Sequence, residues 1–452
     1  MRVSIVGLGK LGSPLAAVLA SKGHYVICVD VNPEAIRRIQ NGRAPVEEPR
    51  LQELIDLSRK RLSVTSEYEK AILETALTFI AVPTPSDENG AFSNRHVLAS
   101  LRQIGSALKR KEGYHLVNIT STVMPGSTGG ELRQTLELHS GRRVGQGVGL
   151  CYNPEFVSLG SVVEGLLTPD FVLIGESDTR AGDVLASLYA TVCENDPPIR
   201  RMNFANAELV KLSVNTFVTT KISYANMLAD ICDRLPDTDV DVVTKAVGCD
   251  SRIGEKYLKG ATGYGGPCFP RDNLAFAFLA RSLGARADIA EATDSLNRYQ
   301  KQRLFSLVRR QIPSGGTVGI LGVSYKPDTG VIEESQGVAL AQLCLAEGFR
   351  VVVYDPMGLE AARILFGDRV SIARSGDACV RAVDILVITI PWPEFRELPV
   401  SSFSRVKGRI TVIDCWRILP VERFSTVADI VYLGHHNGGV NQVAILDGEA
   451  RS

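Results

Sequence analysis

The 452-residue sequence has no surplus of either charge: 50 Lys and Arg stand against 50 Asp and Glu. A field that would draw the whole molecule to nucleic acid or to an anionic membrane surface is therefore missing. It also lacks paired cysteines. The nine present (28, 151, 193, 232, 249, 268, 344, 379, 415) are scattered, form no CxxC pair and are odd in number. That speaks against a disulfide framework or a metal site and for reduced thiols. No uninterrupted apolar run is long enough to span a bilayer. The chain opens on an apparent strand at Arg2–Val6, without a charged leader and apolar signal segment, so a cytoplasmic protein is expected. What remains is 45% hydrophobic and 22% charged, the composition of a soluble globular protein. The length calls for two or three domains.

Short apolar runs alternate with helical patterns in the first half, as in βαβ units of a parallel sheet. Strands are expected at 2–7, 25–30, 62–65, 77–82, 115–120, 148–152 and 170–175, with helices such as 11–22, 94–110 and 179–193 between them. From about residue 200 to 300 strand signals nearly vanish and apolar residues recur at helical spacing. After Pro313-Ser314-Gly315-Gly316 the alternation resumes, with strands expected at 317–323, 350–354, 384–390, 409–414 and 430–433. The Gly- and Asn-rich last fifteen or so residues read as a tail. The expected fold is α/β: two Rossmann-like doubly wound domains, 1–199 and 314–452, joined by a helical middle domain, 200–313.

Strand 2–7 runs into Gly7-Leu8-Gly9-Lys10-Leu11-Gly12 and then an Ala-rich helix. A tight turn, close backbone approach to a pyrophosphate and helix packing each demand one of these glycines. Asp30 ends the second strand, where a carboxylate would bond the adenosine ribose and repel a 2′-phosphate, favouring NAD over NADP. Thr84, Ser121 and Thr122 also end strands; they offer hydroxyls to a cofactor or stabilise their own turns. Glu155, in Asn153-Pro154-Glu155-Phe156, lies beyond a strand's carboxyl end, where ligands gather in open α/β sheets. In the helical region Glu208, Lys211 and Asn215 share a segment, and Lys211 and Asn215 are four apart, on one helix face. They could stabilise an oxyanion or form a solvated face.

The run Gly263-Tyr264-Gly265-Gly266-Pro267-Cys268-Phe269-Pro270-Arg271-Asp272 sets a cysteine between a glycine turn and an apparent helix start. There the helix dipole favours the thiolate, so Cys268 reads as a nucleophile, against the alternative of an inert buried thiol. Asp272, four residues on, would be a base, a water-orienting group or a cap.

Taken in order, these segments together with Val82-Pro83-Thr84-Pro85, Ser121-Thr122-Val123 and Ala207-Glu208-Leu209-Val210-Lys211-Leu212 resemble the UDP-glucose/GDP-mannose dehydrogenase family over nearly the whole chain. The resemblance implies oxidation of a sugar-nucleotide C6 alcohol to a carboxylate in two hydride transfers to NAD. It implies that Cys268 carries a thiohemiacetal and then a thioester, that Lys211 and Asn215 stabilise oxyanions, and that Asp272 handles water. Glu155, with Thr122 through a water, would be the acid/base. It further implies a nucleotide-sugar site involving Phe156, Arg252, Tyr257, Lys259, Gly265, Lys326 and Arg417, and a homodimer or larger assembly in which Arg252 reaches the other subunit.

Three positions depart from the family's pattern. Leu159 stands where a second acid is usual, Glu333 where a cofactor-side arginine is expected, and Trp416 where the first of two arginines usually meets the nucleotide sugar, leaving Arg417 as its substitute. Leu159 and Glu333 would each replace one end of an interdomain charge pair. Two other readings share parts of this pattern: a single-hydride hydroxyacid dehydrogenase, which needs no nucleophilic cysteine, and a non-catalytic member that only binds NAD or a sugar nucleotide.

Overall fold

Strands covered by helices on both faces need apolar side chains on both, and the central strands have them: His115–Ile119 and Val148–Tyr152 are buried throughout. The structure, a computed structural model, describes residues 1–406 and 408–436; the expected tail lies outside the described residues. The first sheet consists of β1 (Arg2–Val6), β2 (Tyr25–Val29), β3 (Leu62–Thr65), β4 (Leu77–Ile80), β5 (His115–Ile119), β6 (Val148–Tyr152), β7 (Val172–Glu176) and β8 (Ile199–Met202). Its order is β3-β2-β1-β4-β5-β6-β7-β8. The second sheet, β9 (Thr317–Leu321), β10 (Arg350–Tyr354), β11 (Ser371–Ile372), β12 (Ile385–Ile388), β13 (Ile410–Asp414) and β14 (Ala428–Tyr432), runs β11-β10-β9-β12-β13-β14. Both contain the doubly wound order 3-2-1-4-5-6. Each expected strand is present to within two residues of its bounds.

Two strands escaped the sequence pattern. β8 reads Ile-Arg-Arg-Met; as an edge strand it carries charge that blunts further pairing and hides the apolar alternation. β11 has only two residues. The first sheet is also not parallel throughout: β7 pairs antiparallel with β6 through Cys151 opposite Glu176 and Tyr152 opposite Gly175. The connection between them carries the short helix Val162–Leu167 and returns the chain in the opposite direction.

The region between the sheets is helical, with helices Phe204–Cys232, Val240–Gly248, Phe269–Ser282 and Asp288–Gln311. The first runs 29 residues without a glycine or proline. Its start is capped by Asn203, whose Oδ1 accepts from Asn206 N at 2.9 Å. By internal contacts the chain forms two compact units. One holds Met1–Val214 with Ala275–Arg286, the other Asn215–Leu274 with the described residues from Ala287 on.

Candidate functional site

In the first unit the β1 turn is shaped around glycine. Gly7 has φ +99°, and a Cβ there would lie 2.5 Å from the Ala81 carbonyl oxygen; one on Gly12 would lie 1.9 Å from the Gly7 carbonyl oxygen. A Cβ on Gly9 would meet nothing within 4 Å, so the backbone faces open space where a pyrophosphate would approach. Lys10 is exposed and Leu11 immediately precedes the helix Gly12–Ser21. Asp30 is half-buried, its Oδ2 accepting from Leu8 N at 2.5 Å and Oδ1 from Asn32 N at 2.7 Å. Each oxygen keeps a lone pair for a ribose hydroxyl. These residues fit a dinucleotide.

The second sheet repeats the same turn. Gly322 has φ +107°, and a Cβ on Gly337 would lie 2.0 Å from its carbonyl oxygen. At the end of β10, however, Asp355 is fully buried, and it accepts from the backbone N–H groups of Val323, Ser324, Met357 and Gly358 and from Ser324 Oγ. That carboxylate is consumed internally, whereas Asp30 is not.

Thr84 and Ser121 serve their turns. Ser121 Oγ donates to Val82 O at 2.7 Å and accepts from Val82 N at 3.0 Å, and Thr84 Oγ1 donates to Thr122 O at 2.7 Å. Thr122 itself is half-buried. The loop that follows is pinned by Glu208, a fully buried carboxylate accepting from Gly126 N at 2.6 Å and Thr128 N at 2.7 Å. Burial raises the pKa of Glu208 against the pull of those bonds.

Beyond β6, Lys211 Nζ donates to the backbone carbonyl of Glu155 at 2.8 Å and stands 4.8 Å from the centre of the Phe156 ring. The Glu155 carboxyl meets Tyr189 Oη at 2.8 Å, and the same hydroxyl lies 2.5 Å from Asn153 Oδ1. Burial pushes the Glu155 carboxyl up to about 7, outweighing the Tyr189 hydrogen bond and the Lys211 charge, which lower it. A carboxyl titrating near neutrality can give and take a proton at physiological pH. Tyr189 was not singled out in the sequence: it reads there as one more apolar-face residue of the helix Thr179–Val192.

In the second unit Cys268 directly precedes the helix Phe269–Ser282, and its carbonyl accepts the first helical bond from Asp272 N at 2.8 Å. Its side chain belongs to an exposed residue, so the alternative of a buried inert thiol does not hold. One turn on, Asp272 is buried and accepts from Asn215 Nδ2 at 2.6 Å, with Arg271 Nε 3.4 Å from its other oxygen. The preceding loop is braced from behind. Asn297 Nδ2 donates to Tyr264 O at 3.0 Å, Gly266 N donates to Glu333 O at 2.9 Å, and a Cβ on Gly265 would meet the Glu334 carbonyl oxygen at 2.3 Å. Phe269 takes Tyr257 and Tyr264 edge-on. Tyr257 and Lys259 are exposed. Lys326 follows β9 in the segment that carries this brace.

The departures have structural roles of their own. Glu333 reaches the cysteine loop through its backbone carbonyl, with an exposed side chain. Leu159 packs on the first unit's apolar core. Trp416 donates its indole N–H to Thr389 O at 2.7 Å, so that donor is spent inside the fold. Arg417, expected to meet the nucleotide sugar in its place, instead holds Asp241 with two nitrogens at 2.6 and 2.7 Å and Gly260 O at 2.9 Å. Arg252 is exposed and paired with Asp250.

Three family models match in order: the UDP-glucose/GDP-mannose dehydrogenase NAD binding domain over residues 1–193, the central domain over 205–299 and the UDP binding domain over 319–421. The chain is 36% identical to a UDP-glucose 6-dehydrogenase of Haloferax volcanii across 93% of its own length and 97% of the relative's. It is 33% identical to a GDP-mannose 6-dehydrogenase of Pseudomonas syringae pv. syringae, over 80% and 82%. Among solved structures, a UDP-glucose dehydrogenase of Pyrobaculum islandicum superposes with a TM-score of 0.87 at 35% identity, covering 95% of this chain and 96% of that one. The chain is thus an NAD-dependent nucleotide-sugar dehydrogenase and belongs to the UDP-glucose/GDP-mannose dehydrogenase family.

Proposed function

We propose that the protein oxidises the C6 alcohol of UDP-glucose, or of a close analogue, to the carboxylate in two hydride transfers, with Cys268 carrying the intermediate. The carrying observation is Cys268 as an exposed residue at a helix start, with the Asn215–Asp272 pair one turn away on the same unit. NAD⁺, when bound, supplies the hydride acceptor.

Glu155, pushed up to about 7, takes the alcohol proton in the first step, with Thr122 and a water, as the first hydride leaves C6 and the aldehyde forms. The Cys268 thiolate adds to the aldehyde carbon, giving a thiohemiacetal oxyanion. Lys211 and Asn215 stabilise it: the ammonium has three donors and gives one to Glu155 O, while the amide has two and gives one to Asp272. The second hydride leaves from the same carbon, producing a thioester. Asp272 then orients or activates the water that cleaves it, which frees the acid and returns the thiol. Gly9 lets the backbone approach the pyrophosphate, Gly7 and Gly12 supply the tight turn and the helix packing beneath it, Asp30 holds the ribose, and Phe156, Tyr257, Lys259, Gly265 and Lys326 line the nucleotide-sugar site.

The working form is a homodimer. On the helix Phe204–Cys232, Phe217, Tyr224 and Ile231 are 66%, 45% and 48% exposed, and their seven-residue spacing sets them in one stripe that suits a second copy. Arg252 of the partner subunit would complete each site. A cytoplasmic location fits nine scattered cysteines with no CxxC pair. Among the described residues no helix is long and apolar enough to cross a membrane.

NADH production from UDP-glucose, UDP-N-acetylhexosamines and GDP-mannose, assayed side by side, tests the substrate. UDP-glucose should have the largest kcat/KM; NADH from none of them would overturn the assignment.

A further inference from the structure

The Asn153–Tyr189–Glu155 chain contains one hydroxyl proton and two acceptors that want it. Asn153 Nδ2 donates to the β7 carbonyl of Leu173 at 2.8 Å, which fixes the amide with Oδ1 toward Tyr189. Tyr189 Oη lies 2.5 Å from that Oδ1 and 2.8 Å from Glu155 Oε1. A phenol has a single proton to donate. When Glu155 is ionised, the proton points to Glu155 and, among the described residues, Asn153 Oδ1 keeps only Asn118 Nδ2, at 3.5 Å. When Glu155 is protonated, Glu155 donates to Tyr189 Oη and Tyr189 donates to Asn153, and every member is satisfied. Asn153 and Tyr189 are both buried, so water does not easily make up the missing bond.

We propose that Tyr189 is a positioning residue for Glu155: its hydroxyl turns between Glu155 and Asn153 as Glu155 loses and gains the reaction's proton. The reaction is the one proposed above, and the inference rests on the role given there to Glu155. The turn is a rotation about Cζ–Oη with no heavy-atom movement. Proton count balances: Glu155 accepts the proton from the alcohol, and the phenol keeps its own, redirected to Asn153. Other groups facing Glu155 are Lys211, whose Nζ is held on the Glu155 backbone carbonyl, and Cys193, whose thiol burial raises to about 11. Cys193 therefore stays a neutral thiol near neutrality. Tyr189 itself is held protonated, burial having moved its pKa well upward.

The two partners act in opposite directions. Tyr189→Phe removes the donor to ionised Glu155, so the acidic limb of the kcat profile should move up by about half a pH unit or more. Asn153→Ala removes the competing acceptor and frees the hydroxyl for Glu155, so the limb should move down by a similar amount. An infrared titration of the Glu155 carboxyl, assigned by its loss in Glu155→Gln, reads the same shifts without turnover and in any variant that folds. Opposite shifts support the relay; equal rates of loss with an unmoved limb and an unmoved infrared titration overturn it. If Glu155→Gln keeps full activity while the infrared shifts remain, the relay stands and the acid/base role of Glu155 fails.

Discussion

Glu155 titrates at about 7 in the folded chain against an ordinary 4.5, so between those values the folded state holds more protons than the unfolded one. Stability attributable to this group therefore falls as pH rises through that window and is level above it. Glu155→Gln has no such proton. Relative to wild type it should gain roughly 1–3 kcal/mol between pH 5 and pH 8, seen as a rising difference in Tm; a difference that stays constant would mean Glu155 titrates as an ordinary carboxylate. At this scale the sequence was informative where partners are local. Cys268 and Asp272 are one helical turn apart, and Gly7 to Asp30 lie within one βαβ unit. It was uninformative where partners are distant: Tyr189 is 34 residues from Glu155, and Asp241 lies 176 residues from Arg417. An arginine in a promising motif does not announce that its guanidinium is already taken.

Among the elements, the helix Phe204–Cys232 contributes most. It carries Glu208, which pins the loop after Thr122, then Lys211 on Glu155, then Asn215 on Asp272. Farther along it leaves Phe217, Tyr224 and Ile231 exposed. If that stripe seats a second copy, Phe217→Asp with Ile231→Asp should weaken self-association by about tenfold or more, measured by sedimentation equilibrium. A monomeric wild type, or a variant that associates as tightly, would refute the stripe as the interface. The sequence marked this helix through its unbroken apolar periodicity, and it marked strands buried on both faces. It failed toward the edge, where β8 trades apolar alternation for two arginines and where β7 runs antiparallel to β6. Edge identity and strand direction depend on which neighbours are present, and no local pattern encodes that.

Across the whole molecule two sheets of one topology have taken different duties. Both keep a positive-φ glycine after the first strand, a second glycine against its carbonyl and an aspartate after the next strand. In the first, Asp30 retains acceptor capacity; in the second, Asp355 is filled by backbone N–H groups. That difference assigns the dinucleotide to the first sheet on physical grounds, in agreement with the NAD binding and UDP binding domains matched there and in the second. Reaction stoichiometry tests the proposed four-electron oxidation through Cys268. Complete conversion of a known amount of nucleotide sugar should yield two NADH per sugar and a uronic acid product, with Cys268→Ser forming no acid. One NADH per sugar with an aldehyde or ketone product, or undiminished acid from Cys268→Ser, would contradict it.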